Sequence, residues 1–225
     1  MHEVLNKKGF ICDMDGVLYS GNKIIEGVKE ISSIIGKDNT VIRYDPIFLN
    51  DKYNIDYHKK NFKVLCEKLD GYINTIIVSF LDEYQNVKKN YRYLKYRKFT
   101  EEDYKEIGTY FSKVAKEHNI TVQTCFEVRN LCEYGFIKGD CISKELAYKM
   151  TGKSYSKWTA RKGNKCNCVK MVDIGEYNTC NHMCRYCYAN FDEKMVMNNM
   201  KKHDPNSPLL IGKLESDDII KERKK

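Results

Sequence analysis

Three thiols in the stretch Cys180-Asn-His-Met-Cys184-Arg-Tyr-Cys187 stand at x3 and x2 spacing, so one short loop can aim all of them at a single metal centre. Thiolates are soft donors that suit zinc or an iron–sulfur cluster, and three of them leave a fourth position to be filled. That position decides the chemistry: an iron without a protein ligand can take a cofactor, whereas a closed four-ligand zinc site is structural. Cys125, Cys141, Cys166 and Cys168 are candidates for the fourth ligand or for a second metal group.

Other candidates are charged. Asp13 and Asp15 close the apolar run Gly9–Cys12 just ahead of Gly16. A carboxylate at such a strand end can attack phosphorus once magnesium has neutralised the phosphate, with the second carboxylate as acid/base. Arg43 and Asp45 end the run that begins at Thr40, and Glu127 follows the run that ends at Cys125; these three are expected to contact substrate or cofactor. The segment Lys88–Lys98 interleaves Tyr91, Tyr93 and Tyr96 with cations, as a stacking surface for single-stranded nucleic acid would. A helix with a solvated face produces the same pattern, and that is the reading adopted.

The elements that must position these residues follow from periodicity. Gly9–Tyr19 reads as a short buried strand running into an acidic, glycine-containing turn. Ile25, Val28, Ile31, Ile34 and Ile35 recur at helical spacing and Gly36 ends that helix. Strands follow at Thr40–Pro46, Asn74–Phe80 and Ile120–Cys125, separated by helices over Asp56–Leu69 and from Thr100 to about His118. Thr100-Glu-Glu-Asp103 has the form of a capping box. Such βα alternation predicts an α/β fold with a parallel sheet, either an open sheet or part of a barrel. Function would gather at the carboxyl ends of the strands, the edge that Asp13, Arg43, Asp45, Ser79, Asp82, Cys125 and Glu127 share.

Beyond Glu127 the pattern loosens. A short helix from Ser143 to Met150 leads into a polar linker, Thr151–Lys165, then a short strand and turn over Val169–Gly175 and a helix over Glu193–Lys202. His203–Pro208 reads as a fixed turn. The polar linker sets off a cysteine-rich segment 151–225, and the resemblances given below divide the rest into an N-terminal motif segment 1–29 and a βα core 30–150.

With 42% hydrophobic residues the chain can bury a core, and no apolar run approaches the roughly 20 residues a bilayer span needs. The N-terminus has no apolar signal region, so a cytoplasmic, reducing compartment is expected. There, ten cysteines, five of them between Cys166 and Cys187, read as metal ligands and buried thiols rather than disulfides. The charge of +8 and pI near 8.8 are compatible with a phosphate-bearing or nucleic-acid partner but are spread along the chain.

Three family resemblances attach to these residues. Cys180-x3-Cys184-x2-Cys187, with the trailing Tyr188-Ala-Asn190, resembles the cluster loop of radical S-adenosylmethionine enzymes, in particular spore-photoproduct-lyase-like members. It implies a 4Fe-4S cluster, S-adenosylmethionine as cofactor, and an electron donor as partner. In those enzymes the loop follows the first strand, whereas only 38 residues follow Cys187 here.

From about Glu30 onward the chain resembles the DUF1848 family. The residues that carry this are Val41-Ile-Arg43-Tyr44-Asp45-Pro46, His58-x2-Asn61-Phe62, Val78-Ser-Phe-Leu-Asp82, Cys166-Asn-Cys168, Asp173-Ile-Gly175, the cysteine loop, and His203-Asp-Pro-Asn-Ser-Pro208. This resemblance implies a partial or complete TIM-type barrel with a C-terminal, radical-SAM-like cysteine cluster and a small-molecule or nucleic-acid substrate.

Residues 1–29 instead resemble the opening loop of haloacid-dehalogenase-like phosphatases of the NagD type, through Asp13-Met-Asp15-Gly-Val-Leu-Tyr19. Asp13 would then be the nucleophile and Asp15 the acid/base, with magnesium as cofactor. Ser79, Gly139-Asp140 and Glu145 imitate that family's later motifs and are taken as coincidental. A structural zinc module is the remaining alternative.

Overall fold

The computed structural model describes residues 10–13, 23–125, 127, 129–155, 168–169 and 175–221. In chain order the elements are β1 (Phe10–Asp13), α1 (Lys23–Ile35), β2 (Thr40–Ile47), α2 (Ile55–Leu69), β3 (Thr75–Phe80), α3 (Gln85–Lys89), α4 (Tyr91–Leu94), α5 (Glu101–Glu117), β4 (Thr121–Thr124), β5 (Ile137–Lys138), α6 (Lys144–Thr151) and α7 (Glu193–Lys202). They divide into two compact units, one of Met1–Asp82 with Lys95–Met171, the other of Glu83–Leu94 with Val172–Lys225.

The first unit is an α/β layer structure. Its five strands are all parallel and stand in chain order, β1 to β5, so each crossover moves one place across the sheet. The two faces differ because side chains alternate along a strand. Ile42 and Tyr44 of β2, Ile76 and Val78 of β3, and Val122 of β4 lie in one core with Ile25 and Val28 of α1, Phe62, Leu65 and Leu69 of α2, and Ile107, Phe111 and Val114 of α5. Phe62 and Phe111 stack at 3.8 Å and tie α2 to α5, with Tyr44 edge-on to both. Residues of the opposite parity, Val41, Arg43 and Asp45 on β2 and Gln123 on β4, are only partly buried.

Local chemistry explains the element ends. Gly36, at φ +86°, leaves α1 with its N–H still bonded to the Ser32 carbonyl. The Asn54 side chain accepts from Tyr57 N at the start of α2. Thr100 and Asp103 form the expected capping box on α5: the Thr100 hydroxyl accepts from Asp103 N and the Asp103 carboxylate accepts from Thr100 N. Arg97 adds a bidentate pair to that carboxylate, with Nη1–Oδ2 of 2.6 Å and Nη2–Oδ1 of 2.7 Å. His58 is buried between strand and helix: its Nε2 donates to the Phe48 carbonyl, so its Nδ1 accepts from the Tyr44 hydroxyl, both at 2.9 Å.

Most of the sequence expectations hold to within a residue or two. The strand expected over Gly9–Tyr19 is the shorter Phe10–Asp13; its continuation, with Asp15, lies outside the described residues. Cys166, residues 156–165 of the expected linker and most of the expected Val169–Gly175 strand also lie outside them. Among the helices, one expectation needs correction. The basic segment Lys88–Lys98 is not a single helix with a solvated face: α3 ends at Lys89, α4 covers only Tyr91–Leu94, and Lys95 takes φ +44°. Four charged residues among the seven at 92–98 supply no apolar stripe long enough to hold a longer helix.

The second unit gathers α3, α4 and α7 around the cysteine loop. Asp192 caps α7 by accepting from Met195 N, and the turn at Asp204–Ser207 closes through Ser207 N to Asp204 O at 2.9 Å. Among the described residues, no helix is long and apolar enough to cross a membrane.

Candidate metal centre

In the first unit the carboxyl ends of β2, β4 and β5 carry a polar group on the side away from α1, α2 and α5. Arg43 and Asp45 are two residues apart on one strand and so share a face; Asp45 Oδ2 accepts from Arg43 Nη2 at 2.6 Å and from Nε at 3.2 Å. Each side chain is 21% exposed. The remaining guanidinium arm, Nη1, points at Cys141 Sγ, 3.4 Å away.

Cys141 is one corner of a sulfur group. Cys125 directly follows β4, Cys141 lies three residues past β5, and Cys168 joins them: the three Sγ atoms are within 4.8 Å of one another and could hold a metal ion. It is the one group of at least three metal-type donors at that spacing among the described residues. Against the expectation of ligands and free thiols rather than disulfides, Cys125 and Cys141 are paired as a disulfide, their Cα atoms 6.4 Å apart, because the register of β4 with β5 brings the residues beyond both strand ends together. Cys168 is only 3% exposed, and its sulfur accepts from Ile142 N at 3.4 Å, while Val169 N donates to Ile142 O at 3.0 Å. These two contacts hold the 168–169 segment against the turn at Cys141–Ile142 that follows β5.

Glu127 and Asp13 occupy the same edge in different ways. A Glu127 oxygen accepts from Phe80 N at 2.8 Å, satisfying the amide at the end of β3. Two residues on, Arg129 forms an ion pair with Glu101 in the first turn of α5 and lies over the Tyr104 ring at 4.8 Å. Asp13 is the register partner of Arg43. Asp103, behind this edge, is held down to about 2 by the Arg97 guanidinium, against the cost of burial, with the Thr100 amide and hydroxyl helping. Cys66 is a different kind of thiol: burial in the core, with Glu67 and Asp70 adding to it, pushes it up to about 12, so it is inert packing.

The second unit holds the Cys180–Cys187 loop, in which Cys180 is exposed and Cys184 and Cys187 are half-buried. Their sulfurs do not reach the mutual spacing of the first group. Asparagine amides pin the loop by its carbonyl groups. Asn86 Nδ2 donates to Cys187 O and to Asn190 O, each at 2.8 Å; Asn90 Nδ2 donates to Arg185 O at 2.9 Å; Asn190 Nδ2 donates to Cys180 O. Asn178, buried, accepts at Oδ1 from Phe191 N and Asp192 N and so fixes the chain's exit into α7. Arg185 lies 4.6 Å over Tyr93, and Arg92 covers the same ring.

The profile of the domain of unknown function DUF1848 matches residues 8–189. The chain belongs to the DUF1848 family. The match begins at residue 8, so it takes in β1 and Asp13, and it ends just after the cysteine loop. No curated protein and no solved structure matches the chain.

Sequence reasoning named every cysteine of both groups but not their partition, with Cys125, Cys141 and Cys168 converging in the first unit of the DUF1848 chain. It also missed the asparagine anchors. Asn86 and Asn90 are four residues apart, the spacing that puts two side chains on one helical face, and that was the available signal.

Proposed function

We propose that this DUF1848 chain is an iron–sulfur protein of the radical-SAM-like class, with Cys180, Cys184 and Cys187 as the ligands of a 4Fe-4S cluster. The observation that carries the reading is the pinned loop. Asn86, Asn90 and Asn190 take up the loop's carbonyl groups, so side-chain hydrogen bonds set the backbone shape on which the three sulfurs are carried.

Three cysteines leave one iron without a protein ligand, and a reduced cluster of that kind supplies the electron for reductive cleavage of S-adenosylmethionine. An electron donor is then a required partner, and the setting is the reducing cytoplasm. The sequential parallel order of β1 to β5, with helices packed on one face, fits a partial TIM-type barrel whose strand ends would face a small-molecule or nucleic-acid substrate. Arg43 and Asp45, partly exposed on the face away from α1, α2 and α5, are the side chains suited to bind its polar groups.

Anaerobic purification with iron and sulfide analysis tests this. About four irons and four sulfides per chain are expected in the wild type, with loss of both in the Cys180/Cys184/Cys187→Ala variant. Equal iron in the two proteins overturns the assignment.

A further inference from the structure

The sulfur group of the first unit is separate from the loop assigned to the cluster. We propose that Cys125, Cys141 and Cys168, in their reduced form, are three ligands of a single four-coordinate ion of the zinc type.

Spacing is the first argument. A tetrahedral ion with metal–sulfur bonds of about 2.3 Å holds its thiolates about 3.8 Å apart. The Cys168 sulfur lies within 4.8 Å of both sulfurs of the disulfide, so once that bond is reduced the three can separate to the spacing a single ion needs.

Charge is the second. Three thiolates around a divalent ion leave a net negative charge in a largely buried place, and such a charge needs donors nearby. Two are present: the Arg43 guanidinium on Cys141 Sγ and the Ile142 amide on Cys168 Sγ, both at 3.4 Å. N–H groups aimed at ligating atoms are the usual outer support of a metal site.

The third argument is architectural. The ligands come from the end of β4, from beyond β5 and from the returning segment at 168–169, which Val169 N fastens to Ile142 O. Since β5 is only two residues long, an ion joining these three segments would hold the sheet edge that its own ladder supports weakly.

The Cys125–Cys141 disulfide and the ion are alternatives, because each uses the same two sulfurs. A dithiol reductant converts one to the other: it takes over the disulfide linkage itself and leaves two thiols, which lose their protons on binding the metal.

The test uses the full chain carrying Cys180/Cys184/Cys187→Ala, so that the loop cannot contribute, and cobalt as a spectroscopic stand-in for zinc. Treated with a dithiol, it should bind one equivalent of cobalt with sulfur-to-metal charge-transfer absorption and tetrahedral visible bands, and zinc should displace it. Without reductant, the disulfide-bonded chain should bind none. Adding Cys168→Ser should abolish stoichiometric binding, and Arg43→Met, which leaves all three ligands in place, should weaken it by about 10- to 100-fold.

Failure of the reduced chain to bind, binding without charge-transfer bands, or equal binding in the oxidised chain overturns the proposal. The wild-type and loop-variant readings need no further substitution in the first unit, so a misfolded Cys168→Ser chain does not obscure the answer. Iron retained or lost by the wild type judges the loop cluster independently of this site.

Discussion

Replacing Asp103 by Asn tests whether the start of α5 is held by charge. The carboxylate is 8% exposed, accepts a bidentate pair from Arg97 and caps Thr100 N; its proton is held down to about 2 against an ordinary value of 3.8. A gap of that size corresponds to about 2.4 kcal/mol at 1.36 kcal/mol per unit. Because Arg97 is 51% exposed and its charge is screened by water, about 1.5–2 kcal/mol is the better expectation at pH 7.

The sign follows from linkage. The folded carboxylate binds its proton less readily than the unfolded one, so the stabilisation is complete above about pH 4 and is lost as pH falls through about 2. Urea denaturation of wild type and Asp103→Asn at a series of pH values should show the variant less stable by that amount at pH 7, with the difference shrinking by more than half at pH 2. A difference constant across that range would refute the reasoning, since it would mean that the packing and cap geometry, not the charge, carry the effect. The consequence reaches the candidate site: Glu101, two residues before Asp103, anchors Arg129, which closes the segment that begins at Cys125.

Three further outcomes are expected. Phe62→Ala should cost about 3–5 kcal/mol in chemical denaturation, because it empties one half of the stacked pair joining α2 and α5 at full burial; a loss under about 1 kcal/mol would mean that this core is not closely packed. Burial lowers the proton affinity of His58, against the pull of the Phe48 carbonyl, so its contribution to stability is present above about pH 6.5 and lost as pH falls below that, at up to about 1.4 kcal/mol per unit; His58→Gln should remove that slope, and an unchanged acid limb would count against a neutral buried imidazole. Asn86→Ala removes two hydrogen bonds donated to the cysteine loop by a side-chain amide, and hydrogen exchange of amides across 178–190 should quicken about tenfold or more; unchanged exchange would mean that the loop does not depend on its anchors.

Periodic, local signals were enough for most of the framework. The helical spacing from Ile25, the Thr100–Asp103 box and the apolar run Thr75–Phe80 each state their element within one short window, and the i, i+2 relation of Arg43 and Asp45 already put both charges on one face of β2. The break in Lys88–Lys98 was less legible. That segment's structure depends on Val87 and Leu94 finding burial in the second unit, which composition alone does not reveal.

The sequence by itself determined the α/β order, the edge where strand-end residues gather, and which cysteines are available. Only the tertiary structure decided which sulfurs meet. Cys125, Cys141 and Cys168 are separated by 16 and then 27 residues, a distance over which no local rule specifies an approach; the register of β4 with β5 and the Val169–Ile142 contact bring them together. Convergence of that kind follows from hydrogen bonding and packing across the whole unit, whereas a loop with x3 and x2 spacing announces itself because seven bonded neighbours cannot be far apart.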